Sequence, residues 1–169
     1  MAACTRILGI DPGSHATGWG VVQVRPALRY LASGVVRPGR QLDLPARLLV
    51  IHEQLAEIID RYAPQIMAVE SLFQARNARS ALILGHARGA ALLAGARRGL
   101  AVYEYAPGAV KQALTGNGQA SKQQVRYMVR RLLQFAELPA LDESDALAVA
   151  LTHESRGRLP VGRVAEGRA

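Results

Sequence analysis

The chain has 169 residues, half of them apolar, which is enough for one domain with a full hydrophobic core and excludes a chain disordered throughout. It carries 21 basic and 13 acidic residues, a formal net charge of +8, and its only cysteine, Cys4, excludes an internal disulfide. No apolar run approaches the roughly 18 residues of a membrane span, and Arg6 interrupts the amino terminus before a signal-like core. We therefore expect a cytoplasmic protein.

The positive charge is concentrated in the middle of the chain. Segment 72–131 holds ten basic residues and one acid, Glu104, so its net charge is +9, whereas the remaining eleven basic and twelve acidic residues give −1. This distribution indicates a polyanionic partner, although solvated arginines on a soluble cationic protein would give the same composition. The chain has 19 arginines and only two lysines, Lys111 and Lys122, and the compact charge of lysine suits a crowded metal–phosphate site.

Hydrophobic periodicity predicts ten elements in chain order. β-Branched runs around turn residues predict strands, and apolar residues at steps of three and four predict helices. The predicted order is strands 6–11, 17–24 and 28–36, helix 44–62, strand 65–70, helix 80–98, strand 100–105, and helices 107–114, 121–135 and 141–153. Three successive strands predict an antiparallel meander, and the later crossovers require parallel strands. We expect an α/β fold, a five-stranded mixed sheet with helices on both faces, in one domain over 1–155 with a flexible basic tail over 156–169.

Asp11 stands at the end of the first strand. Pro12 cannot extend a central strand, and Gly13 tolerates the backbone of a tight turn, so the carboxylate is fixed at the strand end. A carboxylate held in this way can ligate a hard cation. The alternative is that Asp11 caps the backbone of its own turn, as aspartate commonly does.

Three further acids stand at comparable positions. Glu70 ends the fourth strand, and if that strand neighbours the first, both carboxylates lie at one end of the sheet, where such sheets bind ligands. Asp142 and Asp145 are three residues apart at the start of the last helix, so both can face one site. The alternative for this pair is an acidic capping box, with Asp142 as the N-cap and Asp145 at N3.

Four converging acids would repel one another by several kcal/mol in a partly buried site unless cations neutralise them. Oxygen-rich ligation suits Mg²⁺ or Mn²⁺, and two such ions activate a water and stabilise the leaving oxygen in phosphodiester hydrolysis. An acidic cluster beside a basic segment therefore predicts a metal-dependent nuclease. Of the histidines, His153 stands two turns beyond Asp145 and could approach such a site.

Motifs in nearly the whole chain closely resemble the RuvC family of bacterial Holliday junction resolvases. The resemblance is specific because the motifs come in the family's order and spacing, from about residue 7 to residue 153. They are Gly9-Ile10-Asp11-Pro12-Gly13-Ser14, Thr17-Gly18-Trp19-Gly20, Val69-Glu70 with Phe73 and Asn77, Ser80-Ala81-Leu82, Leu84-Gly85-His86-Ala87-Arg88-Gly89, Val110-Lys111-Gln112, Gly118 with Lys122, and Asp142-Glu143-Ser144-Asp145-Ala146-Leu147-Ala148.

The resemblance implies a ribonuclease H-like fold and a homodimeric endonuclease that resolves four-way DNA junctions with two Mg²⁺ per active site, Mn²⁺ also serving. It implies that the metal-binding catalytic acids are Asp11, Glu70, Asp142 and Asp145. Lys111 and Lys122 match lysines near the scissile phosphate, and Phe73 matches an aromatic wedge, with Arg76, Asn77 and Arg79 as its polar, DNA-binding neighbours. The helix with Gly85 and Gly89 matches the dimer interface, and the RuvA–RuvB branch-migration complex is the expected partner.

Three other functions stay open on the sequence. A ribonuclease H-like nuclease could act on another nucleic acid, such as an RNA–DNA hybrid. The Asp-x-Gly-Ser motif also resembles the first phosphate loop of actin-like ATPases and sugar kinases, but those proteins need a second lobe, which a single domain of this length lacks. An architectural junction-binding protein, whose acids only cap helices and turns, is the non-enzymatic alternative.

Overall fold

The structure, a computed structural model, describes residues 4–71, 77–137 and 139–156. These residues form ten elements, in chain order β1 (Thr5–Asp11), β2 (Thr17–Arg25), β3 (Arg29–Val36), α1 (Leu44–Tyr62), β4 (Ile66–Glu70), α2 (Ala78–Ala96), β5 (Ala101–Tyr105), α3 (Pro107–Thr115), α4 (Lys122–Leu133) and α5 (Leu141–Arg156). Within these ranges, no helix combines the length and apolarity that crossing a membrane requires.

The five strands form the predicted mixed sheet, and their order is β3-β2-β1-β4-β5. β1 pairs antiparallel with β2, and β2 with β3, so the first three strands are the expected meander. β4 pairs parallel with both β1 and β5. Because β1 and β4 are parallel neighbours, Asp11 and Glu70 lie at the same end of the sheet, which we call the Asp11 end.

The sheet separates two hydrophobic clusters, and alternate residues of β1 contribute to each because successive side chains of a strand point to opposite faces. Ile7 packs in the cluster that includes residues of α3, α4 and α5. Leu8 and Ile10 pack on the opposite face, with α1 and α2. Helices therefore cover both faces, as the sequence predicted.

Helix α5 packs almost directly onto the backbones of β1 and β2. A methyl group added at Gly9 would overlap the carbonyl oxygen of Ala146, and one added at Gly18 would overlap that of Asp142. Nearly every residue from Ala146 to His153 is buried, so the apolar sequence of α5 fills the space against the sheet. Glycine at these two strand positions is what lets the acidic start of α5 approach the Asp11 end of the sheet.

The observed bounds differ from the predicted ones chiefly at capped helix ends. α2 begins at Ala78, two residues early, because the Asn77 side chain caps it and accepts from the Ser80 amide at 2.9 Å. α4 begins one residue late because Ser121 is its N-cap, in a capping box with Gln124. α5 continues to Arg156, a residue that we had assigned to the tail. The rest of that predicted tail lies outside the described residues.

Candidate active site

Asp11 and Glu70 lie side by side at the Asp11 end of the sheet, close enough for each to influence the pKa of the other. Burial raises the pKa of Glu70 to about 8 and that of Asp11 to about 6, and the mutual repulsion of the two carboxylates contributes to the rise for Glu70. The turn after Asp11 is closed by Thr17, whose hydroxyl donates to the carbonyl of Gly13 at 2.7 Å. The Asp11 side chain therefore faces another acid. The backbone of the turn forms its hydrogen bond with Thr17.

Asp145 brings a third carboxylate to this pair from helix α5. Its negative charge raises the pKa of both Asp11 and Glu70. The ammonium group of Lys122 lies 2.7 Å from Asp145 Oδ2 and opposes these shifts, lowering the pKa of both carboxyl groups. The hydrogen bond to Asp145 in turn raises the pKa of Lys122. Acids from β1, β4 and α5 thus form one electrostatically linked group, with one lysine as its cation.

Asp142 lies at the margin of this group. α5 begins at Leu141, so Asp142 is in the first turn of the helix and not at its cap, which argues against the capping-box alternative. Its Oδ2 accepts from Arg37 Nη2 at 2.9 Å, and its repulsion is the smallest of the effects on the pKa of Asp11. The structure therefore brings three of the four predicted acids together and pairs the fourth with an arginine.

The oxygen ligands of the site suit a divalent cation, although they do not form a complete coordination site as they stand. Asp11, Glu70 and Asp145 offer only carboxylate oxygens, which hard cations such as Mg²⁺ prefer. Within the described ranges, no three acidic, histidine or cysteine side chains are grouped closely enough to hold a metal ion as they stand. The physical reason is electrostatic, because Lys122 binds Asp145, Arg37 binds Asp142, and the remaining carboxylates repel each other. A bound cation would replace this compensation.

Lys111 joins the acids through a cleft between α3, α4 and α5. We call it the lysine cleft; it is lined by Glu70, Pro107, Val110, Lys111, Lys122, Val125, Asp145 and Ala148. Both lysines of the chain therefore lie beside two of the clustered acids. Apolar side chains complete the lining, so a phosphate entering the cleft would meet the two ammonium groups in a partly desolvated setting.

The other predicted DNA-binding residues are only partly described. Phe73 and Arg76 lie outside the described residues. Asn77 caps α2 through its side chain, and Arg79 is exposed in the first turn of that helix. His153 does not approach the acids: its Nδ1 lies 2.7 Å from the Tyr105 hydroxyl, and it lines a different cleft, with the opening residues of β1.

A second group of cationic residues at the Asp11 end was missed by the sequence analysis. Arg37 follows β3, and Arg47 in α1 places Nη1 3.2 Å from His15 Nδ1. These residues lie outside the basic segment 72–131. In the rest of the chain basic and acidic residues nearly balance, so a count of charges along the sequence does not reveal this group. The predicted meander could have revealed this group, because antiparallel pairing of Thr17 with Val36 puts the residues before β2 beside those after β3.

A five-stranded mixed sheet with acids at the ends of two adjacent parallel strands, and further acids on the helix that crosses them, defines a ribonuclease H-like α/β protein with an acidic site. A family model described as "Crossover junction endodeoxyribonuclease RuvC" matches residues 7–153. The chain belongs to this family.

Relatives and solved structures agree with this assignment. The chain is 50% identical over 163 residues to the crossover junction endodeoxyribonuclease RuvC of Halorhodospira halophila, covering 96% of this chain and 98% of the relative. It is similar to the RuvC structure of Thermus thermophilus, with 41% identity and a TM-score of 0.80 over 89% of this chain and 93% of the other. The same protein in complex with a Holliday junction substrate matches with a TM-score of 0.85, at 41% identity over 90% and 94% of the two chains.

Proposed function

We propose that this chain is an endodeoxyribonuclease that resolves Holliday junctions in recombination and repair by paired, symmetric cuts. The observation that carries the proposal is the placement of Asp11, Glu70 and Asp145 beside both lysines of the chain. An acidic group that needs cations, next to a cationic cleft that attracts phosphate, is the arrangement that metal-dependent phosphodiester hydrolysis requires. The similarity to a relative solved with a Holliday junction substrate supports a junction as the substrate.

The catalytic acids in this proposal are Asp11, Glu70, Asp142 and Asp145, which would hold two Mg²⁺, with Mn²⁺ as a substitute. When bound, these ions supply an activated water and stabilise the charge on the leaving oxygen. Asp142 would take part in holding a metal only after giving up its contact with Arg37. The support is the all-oxygen donor set and the raised pKa of Asp11 and Glu70, which shows that their negative charges lack sufficient compensation.

The lysines position the scissile phosphate. Lys111 and Lys122 line the lysine cleft next to Glu70 and Asp145, so an oxygen of the phosphate could accept from an ammonium group while the phosphorus faces the acids. Their positive charge would also stabilise the additional negative charge of the transition state. Asn77 and Arg79, at the start of α2, would bind the strand beyond Glu70.

Phe73 is proposed as a wedge that stacks on a base and opens the junction, with Arg76 beside it. Base–aromatic stacking is worth about 1–3 kcal/mol, too little to dominate binding by many phosphates. Phe73→Ala should therefore bind junctions almost normally and cleave them poorly. Junctions with unpaired bases near the cut should partly restore cleavage. A large loss of thermal stability with unchanged cleavage per folded molecule would instead identify Phe73 as a core residue.

The proposed assembly is a cytoplasmic homodimer that works with the RuvA–RuvB branch-migration complex. A Holliday junction is two-fold symmetric, so a two-fold dimer can present one active site to each of two strands. Helix α2 offers the surface for this dimer: Leu82 and Leu93 are exposed, and added methyl groups at Gly85 and Gly89 would meet no other atom within 4 Å.

The direct test is to incubate the purified protein and Mg²⁺ with a mobile four-way junction labelled on each strand in turn, and to map the cuts. We expect paired cuts at symmetric positions on two strands, abolished by chelation of the metal. Duplex DNA and an RNA–DNA hybrid of the same sequence serve as controls. Preferential cleavage of the hybrid would support the alternative substrate, and binding without cleavage would support an architectural protein.

A further inference from the structure

The Asp11 end of the sheet carries a second cationic cleft, on the side opposite the lysines. We call it the arginine cleft; it is lined by His15, Ala16, Arg37, Pro38, Gly39 and Arg40. The register of the meander places it there. Asp11 pairs with Gly18 and Thr17 pairs with Val36, so the residues before β2 and after β3 lie at the same end of the sheet as Asp11.

The two clefts lie on opposite sides of the clustered acids. The sheet order is β3-β2-β1-β4-β5, and Asp11 is on the central strand. The lysine cleft includes Glu70 on β4, whereas the arginine cleft is formed by the residues just before β2 and just after β3. A strand whose phosphate lies at the acids therefore has a cationic cleft on each side of that phosphate.

The arginine cleft retains unused donor capacity. Arg37 donates to Asp142 through Nη2, yet 63% of its side chain is exposed, and a guanidinium has five N–H donors. Arg40 is exposed. Arg47 packs against His15 through Nη1, and its buried Nε has no acceptor among the described residues.

Among the described residues, no acid lines the arginine cleft, and two acids that adjoin its residues in space or in sequence have partners of their own. Asp142 accepts from Arg37, and Asp43 accepts from the Ala46 amide at 3.0 Å as the N-cap of α1. A planar guanidinium binds a phosphate through two parallel N–H groups, and a nucleic-acid strand presents a phosphate at every nucleotide. The chemistry of the cleft therefore fits the backbone of the strand that is cut.

We propose that the arginine cleft, together with Arg47, binds backbone phosphates of the cleaved strand on the side of the scissile phosphate away from Lys111 and Lys122. The inference rests on the proposed nuclease function and adds the course of the strand across the molecule: from the lysine cleft, over the acids, to the arginine cleft. Contacts at both clefts would fix the scissile phosphate between them, and they would do so for any base sequence, since backbone contacts carry no sequence information directly.

The test compares two double variants that lose the same charge. Arg40→Gln/Arg47→Gln removes two cationic groups at the Asp11 end of the sheet without touching a proposed catalytic residue. Arg61→Gln/Arg97→Gln removes two exposed arginines near the opposite end, at the end of α1 and just after α2. Affinity for a labelled four-way junction is measured in EDTA over a range of salt concentrations, with melting temperatures as a check of folding.

Each lost phosphate contact makes the negative slope of log affinity against log salt shallower by about 0.9. The slope of Arg40→Gln/Arg47→Gln should therefore be shallower by up to about 1.8, and this variant should bind several-fold more weakly at low salt. The opposite-end variant should keep the slope of the unsubstituted protein. Arg40→Lys/Arg47→Lys keeps both charges and should restore most of the slope.

Equal slopes and affinities for the two glutamine variants would overturn the inference. Cleavage by the unsubstituted protein in Mg²⁺ separates this result from the proposed function. With cleavage present and equal slopes, only the arginine cleft fails. If cleavage is absent, the proposed nuclease function fails. The inferred course of the cut strand then fails as well, because it rests on that function.

Discussion

Burial disfavours the charged forms of Asp11 and Glu70, and neighbouring carboxylates add to this, so the pKa of each carboxyl group is raised. Asp145 adds to the rise, and Lys122 opposes part of it. A site that is costly without cations is suited to binding them, because neutralisation by a metal removes the repulsion. The electrostatic cost of the acids is therefore part of their proposed function.

Replacing Glu70 or Asp145 by its amide should lower junction cleavage by about 100-fold or more, because the amide cannot supply the charge that holds the metal. Junction binding in EDTA should persist, because Asp145→Asn removes a negative charge that faces the phosphates, and Glu70, with a pKa of about 8, is already largely protonated at neutral pH without a metal. Glu143→Gln is the matched control, because Glu143 is in the same helical turn but accepts from the Ser33 hydroxyl at 2.5 Å. Near-normal cleavage by both Asp142→Asn and Asp145→Asn would contradict the catalytic assignment of that pair.

His153 predicts a specific dependence of stability on pH. Burial lowers its pKa, so the folded protein holds the ring neutral while the unfolded chain takes up a proton below about pH 6.5. The contribution of His153 to the free energy of unfolding is therefore fully present above about pH 6.5. It is lost as the pH falls toward the pKa of His153 in the folded protein. The raised pKa values of Asp11 and Glu70 act in the opposite direction, since those groups favour the folded state as pH falls.

The contribution of His153 is isolated by comparison with His153→Gln, in which both acids remain. From pH 7.5 to 5.5, metal-free protein should lose more free energy of unfolding in urea than this variant does. Tyr105→Phe should retain the dependence, because burial, and not the hydrogen bond between His153 and Tyr105, lowers the pKa. Parallel pH profiles for the unsubstituted protein and His153→Gln would contradict the assignment.

Among the elements, α5 and the strands beneath it decide whether the site assembles. Gly18 lies against the backbone of Asp142, so a side chain there must push away the part of the helix that carries the acids. Gly18→Ala should lower the free energy of unfolding by about 1–3 kcal/mol, and should lower cleavage per folded molecule as well. Gly108→Ala, where an added methyl group meets no atom of the described residues within 4 Å, should lower neither quantity, and its better helix propensity should raise the free energy of unfolding slightly. Full activity of folded Gly18→Ala would show that α5 tolerates displacement.

Elements with strong local signals were predictable from the sequence. α1 has the predicted bounds because an aspartate cap, a proline in the first turn and a regular apolar stripe all agree. The common position of Asp11 and Glu70 was predicted only on the condition that the two strands they end are neighbours, and the parallel pairing of β1 with β4 meets that condition. The contact of Arg37 with Asp142 could not be predicted, because it joins residues 105 positions apart through the register of the meander and the closeness of α5 to the sheet.

At the scale of the whole molecule, the exposed face of α2 predicts a dimer. Leu82 and Leu93 are 63% and 54% exposed, and the positions of Gly85 and Gly89 are open, so nothing within the described part of the chain packs there. Gly89→Leu should fill the space that a second helix needs and give monomers by light scattering, with melting temperature little changed. Gln54→Leu, on the exposed face of α1, controls for added apolar surface. A monomeric unsubstituted protein at micromolar concentration would contradict the proposed dimer.

The acids of the site come from residues 11, 70 and 145, which are separated by most of the length of the chain. During synthesis on the ribosome, a nascent chain that has already folded β1 and β4 still lacks α5, and with it Asp145. With Asp145 as a proposed catalytic acid, such a chain would expose the basic segment before it could cut. Truncated products of interrupted translation would then be unable to nick DNA, because they lack the helix that carries Asp145.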